Sequence, residues 1–429
     1  MAPCALSLLA FTLLAQLTSA LRHAAVATKE DPTSKGQMTK FSQHQPWIAE
    51  LFADRDLAER ELEARYPTVL AAIRKGLESP GDGLANYESA CEAVYGIAVQ
   101  EHKTKPYVAA AGGIEVTVKA LKAYLSLPEE DKWPEKSVTG ARLCAAAVSM
   151  VSMYQRDVME EAGKAGAVEL VLQLQRRFWY DASMQIGGLS GAFMDFSATN
   201  RKRWADAGGI EYTLKAIKTH YGNPEVVLQS WYAFSSGTQT PNERAFVENG
   251  GIEAAMRSMV DHANYSRVRE EAIQAMRAVG RCEGCGDLQA RLVEAGFLEN
   301  LAGAMKEVPD DIHIQSPCCA NVEILTRSNA TIREHAVKAG LPDLALTAIR
   351  GFPTMVSSVK WGFDDQYTVY EDCMGALANL AEVPQVKSKM KEGHVAQDIQ
   401  AALDARPNST RLRKSASRVL AALGESIAA

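Results

Sequence analysis

The sequence predicts an all-α, right-handed superhelical solenoid of about eight three-helix units. Three observations carry that prediction. A glycine-led fragment returns along the chain at a nearly constant interval, an apolar landmark returns in step with it, and the composition is globular. Hydrophobic residues make up 47% and charged residues 23% of the 429 residues, which excludes a disordered or fibrous chain. With 46 Lys and Arg against 52 Asp and Glu, the net charge is −6. Such mild acidity argues against a dedicated nucleic-acid binder, whose footprint is a strongly basic face.

Taken in order, the chain opens with an uncharged stretch, Ala5 to Ala20, ending in Thr18-Ser19-Ala20. That length and ending predict a signal peptide over residues 1–20 rather than a membrane span. Residues 21–46 are polar and without periodicity, and read as a flexible linker. The solenoid is expected over residues 47–429.

Within it, Gly112-Gly113-Ile114-Glu115 returns as Gly208-Gly209-Ile210-Glu211 and Gly250-Gly251-Ile252-Glu253. Looser copies begin at Gly166, Gly296, Gly340 and Gly393. The acidic positions 115, 169, 211, 253, 299 and 343 lie 54, 42, 42, 46 and 44 residues apart. An apolar pair three residues apart closes each copy: Val94/Ile97, Val148/Val151, Leu189/Ala192, Trp231/Phe234, Met276/Val279, Val322/Leu325, Leu377/Leu380 and Leu420/Leu423. In each unit a short helix runs into the glycine turn, a second helix follows with apolar residues at i, i+4 and i+7 (Ile252, Met256, Met259), and a polar loop leads to the third. One unit has too little apolar surface to fold alone, so neighbours must stack.

Three helices in about 42 residues, with Gly-Gly-Ile-Glu opening the second, resemble the armadillo repeat from roughly Trp47 to Leu423. The resemblance implies a polypeptide-binding superhelix lined by the third helices. It does not extend to the importin-type asparagine ladder: of the equivalent positions only Asn379 is Asn, and it reads as a capping or local hydrogen bond.

Other residues have plainer expectations. Trp204, Trp231, Phe193 and Phe234 fall on landmark faces and read as core. Arg201, Lys202 and Arg203 read as a solvated face. Arg406, Arg411, Arg413, Lys414 and Arg418 have no acid among them and read as the polar outer face of a terminal unit. No GxSxG, HExxH, P-loop or GxGxxG motif occurs, so a non-catalytic chain without cofactor or metal is expected.

Cys282 and Cys285 have CxxC spacing and form the candidate disulfide. Other pairs are set aside, because neighbouring helix axes 8–10 Å apart exceed the ~7 Å Cα limit of a disulfide. Asn264, Asn329 and Asn408 head N-x-Ser/Thr sequons and are candidate glycosylation sites in loops.

Two landmark intervals, 54 and 55 residues, exceed the others, which span 41 to 46. The excess falls between second and third helices, at Leu127–Glu135 and Gly351–Tyr370. In the second loop Trp361, Phe363 and Tyr367 stand beside Asp364 and Asp365 and are candidate partner-binding residues.

The functional expectation is a monomeric protein–protein interaction scaffold binding a polypeptide, in the secretory pathway or secreted, with no nucleic acid and no membrane span. The alternatives are a luminal chaperone cofactor of the nucleotide-exchange type and a thiol-redox protein using the CxxC pair. Retention of the N-terminal segment would place the chain in the cytoplasm instead.

Overall fold

A computed structural model describes residues 46–78, 84–128, 134–153, 155–188, 197–237, 243–282, 284–352, 369–405, 407 and 409–425. Among these every regular element is helical. The third helices of the eight units are α1 (Leu84–Gln100), α2 (Glu135–Ser152), α3 (Ala182–Gly188), α4 (Pro224–Gly237), α5 (Ser266–Arg281), α6 (Ile312–Thr326), α7 (Val369–Leu380) and α8 (Thr410–Leu423). Each packs on the next, and the second helix of its own unit covers it. Among the described residues the core therefore runs from Ile48 to Leu423, as nearest-neighbour stacking requires.

The landmark residues are that core. Val94, Val148, Trp231, Met276 and Leu377 are fully buried, and their partners three residues on are nearly so. Leu189, Ala192 and Phe193 lie outside the described residues, as do residues 1–45 with the expected signal peptide and most of the linker. The first unit turns at Tyr66, without a glycine, between Arg55–Arg65 and Pro67–Glu78.

Six glycine turns are alike. Gly112, Gly166, Gly208, Gly250, Gly296 and Gly340 have φ between 75° and 104°, a left-handed conformation that a side chain disfavours. In the last unit the left-handed residue is His394, with φ 54°, not Gly393. The second glycine of a pair has another task. Gly251 starts the helix Gly251–Asp261 beneath Phe246, and a Cβ there would stand 2.4 Å from the ring. Gly251→Ala is accordingly expected to destabilise by about 1–3 kcal/mol through overpacking. Gly166→Ala, where no atom lies within 4 Å, should lose only about 1–2 kcal/mol of backbone strain. Denaturant melts that rank the two in the opposite order would show that the ring contact is misjudged.

The exclusion of disulfides between helices is corrected by the structure. Cys91 on α1 pairs with Cys144 on α2, their Cα atoms 5.0 Å apart, and Cys319 on α6 pairs with Cys373 on α7 at 4.7 Å. Axis separation is the wrong measure. Cα atoms stand on a cylinder about 2.3 Å in radius, so residues that face each other across axes about 8–10 Å apart come within roughly 3.4–5.4 Å. Cys282 and Cys285 also pair, with Cα atoms 5.4 Å apart.

Candidate functional site

The third helices bring together charges that are distant in sequence. Asp372, fully buried on α7, accepts from Ser316 Oγ at 2.5 Å and from the Arg411 guanidinium at 2.5 Å. Arg411 also lies 3.8 Å from Glu371 and 3.9 Å from Glu323. Burial disfavours its charge, but Asp372, Glu371 and Glu323 more than offset that and raise its pKa above the ordinary arginine value. Arg418 donates to Asn379 Oδ1. Asn379 Nδ2 in turn donates to the Glu323 carbonyl at 2.7 Å and to Thr326 Oγ1 at 3.2 Å. Asn379 is thus a bridge between units, not a cap or local contact. Arg411 and Arg418 likewise turn toward acids of earlier units instead of forming a polar outer face. Arg201 is another departure, nine-tenths buried within Ala198–Asp206, while Lys202 and Arg203 hold ion pairs with Asp206 and Glu169.

Beside this network, a groove of about 840 Å³ lies where the C-terminal ends of α5 and α6 meet. Arg277 and Arg281 come from α5, Glu323 from α6 and Arg327 from its C-cap, and Arg411 reaches in from α8. Among the described lining residues four arginines, of which Arg411 also serves Asp372 and Glu371, stand with one carboxylate, Glu323, held 3.4 Å from Arg327. Gly375 makes room for that carboxylate, since a Cβ there would stand 2.4 Å from Glu323 Cδ. The wall between α5 and the helix Gly286–Glu294 is made by Cys282, Gly284 and Cys285. An electropositive groove of this kind suits an anionic ligand. Among the described residues no group of three or more His, Cys, Asp or Glu is placed to hold a metal ion.

Of the sequence candidates, Cys282, Cys285 and Asn329 meet at this groove. Asn329 is also the N-cap of Ala330–Lys338, its side chain accepting from the Ile332 amide. Asn264 is exposed in the loop before α5. Trp361, Phe363, Asp364, Asp365, Tyr367 and Asn408 lie outside the described residues. The other inserted loop is described up to Pro128, where Arg177 of the next unit donates to the carbonyls of Leu125, Leu127 and Pro128. The groove arginines were legible only across units. Arg281 and Arg327 each follow their landmark, Met276 or Val322, by five residues.

No protein-family model matches the chain, and no curated protein matches it. Solved structures do. An engineered protein is 17% identical with a TM-score of 0.58, over 91% of this chain and 98% of its own. A structure concerned with a conserved phosphorylation switch that controls the interaction between cadherin and β-catenin is 16% identical with a TM-score of 0.57, over 89% of this chain and 69% of that one. A designed armadillo repeat protein is 14% identical with a TM-score of 0.48, over 62% of this chain and 98% of its own. At these identities the likeness is one of fold. Among the described residues no helix is long and apolar enough to cross a membrane.

Proposed function

Taking the armadillo-repeat fold of this chain as the premise, we propose that it is a polypeptide-binding scaffold of the secretory pathway that seats an acidic, extended segment in the groove between α5 and α6. The observation that carries this reading is the groove itself, where the exposed Arg281 and Arg327 stand beside Arg277 and Arg411, with Glu323 the carboxylate among the described lining residues. Guanidinium groups recognise carboxylates in a planar, two-point geometry, so a Glu- or Asp-rich segment fits better than a neutral or basic one. The use of a similar fold in the interaction between β-catenin and cadherin supports a polypeptide as the partner. The oxidising compartment is supported by the buried pairs Cys91–Cys144 and Cys319–Cys373, which are rare in reducing ones.

The test is fluorescence anisotropy of the full chain with a Glu-rich peptide and its Lys-rich counterpart. The Glu-rich peptide should bind more tightly, less so at high salt. Exchanging Arg281 and Arg327, both exposed, for glutamate should weaken it about tenfold or more. Equal binding of the two peptides, or a variant that binds as well as the parent, would remove the groove as the site.

A further inference from the structure

We propose that the Cys282–Cys285 disulfide is the reactive centre of this groove, exchanging with cysteine thiols of the acidic segment seated there. The inference rests on the polypeptide-binding reading above and adds a chemical step to it.

Access separates the three cysteine pairs. Cys91, Cys144 and Cys373 are fully buried and Cys319 is 1% exposed, so an incoming thiol cannot reach them. Cys282 and Cys285 are only partly buried and line the groove. Gly284 and Gly286, on either side of Cys285, have open space at the Cβ position, with no atom beyond their chain neighbours within 4 Å among the described residues. The remaining described cysteine, Cys318, is a free thiol sealed in the core, and burial pushes its pKa up. It does not compete.

Topology separates them too. The buried pairs tie α1 to α2 and α6 to α7, across 53 and 54 residues of sequence. Cys282–Cys285 spans only three, and a loop that short constrains the unfolded chain least. Stapling is therefore a poor account of this pair.

The surroundings favour exchange. Thiolate leaving groups are stabilised by nearby cations and helix N-termini. Arg281 precedes Cys282, with Arg277 one turn earlier and Arg327 and Arg411 on the same groove. Cys285 is the N-cap residue of the helix Gly286–Glu294, at its positive end, whereas Cys282 follows the negative end of α5. Cys285 is consequently the better leaving group, and attack falls on Cys282. A partner thiolate attacks Cys282 Sγ, a bond forms between those sulfurs, and the Cys282–Cys285 bond breaks with Cys285 leaving as thiolate. The partner's second thiolate then attacks the partner sulfur of this mixed disulfide and releases Cys282. Two electrons and two protons pass from the partner dithiol to the pair, so the partner is oxidised and Cys282 and Cys285 are reduced. Repeated turnover uses a low-molecular-weight disulfide such as oxidised glutathione to restore the pair.

The experiment mixes the oxidised full chain with a reduced Glu-rich peptide carrying two cysteines, or with its Lys-rich twin, and follows peptide oxidation by alkylation and mass spectrometry. The Glu-rich peptide should be oxidised about tenfold faster or more. Exchanging Cys282 and Cys285 together for serine should abolish oxidation, with a melting curve that shows the chain still folded. The Arg281→Gln, Arg327→Gln variant, which keeps the disulfide, should oxidise the same peptide more slowly. If the Glu-rich peptide binds but is not oxidised, or is oxidised equally by the serine variant, the exchange proposal is wrong and the scaffold reading stands. If both peptides are oxidised at one rate, the reading of an arginine-lined groove that selects acidic segments is wrong and this proposal falls with it.

Discussion

Replacing Trp231 by alanine is expected to lower the unfolding free energy by about 3–5 kcal/mol. Trp231 on α4 is fully buried, its ring centroid 5.7 Å from that of Phe234 and 6.4 Å from that of Phe246. Phe234 in turn meets Phe246 at 4.9 Å and Trp204 at 5.7 Å. Trp204 belongs to Ala198–Asp206 and Phe246 to Glu243–Glu248, so one aromatic cluster joins the fourth unit to the fifth. Nearby residues cannot refill so large a volume without shifting a helix. Because a solenoid is held by nearest-neighbour contacts, the damage should be local. Denaturant melts should show the loss, and hydrogen exchange should show α4 and Glu243–Glu248 opening before α1 or α7. A change within the ±0.5 kcal/mol usual for surface sites would mean that the cluster does not join the units.

Asp372→Ala should be nearly as damaging, toward the lower end of the 3–5 kcal/mol typical of breaking a buried ion pair. It removes the closest partner of Arg411 and leaves the buried Ser316 hydroxyl without its acceptor. Glu371 and Glu323 remain near the guanidinium, and the Arg411 side chain is 33% exposed, which together limit the loss. Asp372→Asn keeps the shape and an acceptor for Ser316, so it should lose less. In a double-mutant cycle with Arg411→Ala the two losses should be clearly less than additive. Additive losses would show that Asp372 and Arg411 do not act on each other.

These two sites differ in how far the sequence disclosed them. Trp231 and Phe234 stand on a landmark that recurs in every unit, and repetition turns a weak local signal into a strong one. The glycine turns were visible for the same reason, although the division of labour within Gly250-Gly251, left-handed backbone at one and ring contact at the other, needed coordinates. Asp372 and Arg411 carry no such signal. They are 39 residues apart, and nothing local pairs an acid on one unit with a base on the next. The cross-helix cysteines were missed for a geometric reason: pairing depends on which side of each helix faces its neighbour, and axis distance is silent on that. The groove arginines were hidden because a charge on one helix looks like ordinary solvated surface until the units are laid side by side.

The reading of this chain turns on whether the groove between α5 and α6 is where a polypeptide lies. Hydrogen exchange of the oxidised full chain, with and without the Glu-rich peptide, addresses that most directly. The account predicts new protection confined to the C-terminal turns of α5 and α6 and to the start of Gly286–Glu294, with α1 and α2 unchanged. Protection elsewhere along the solenoid, or none on addition of a peptide shown to bind, would contradict it.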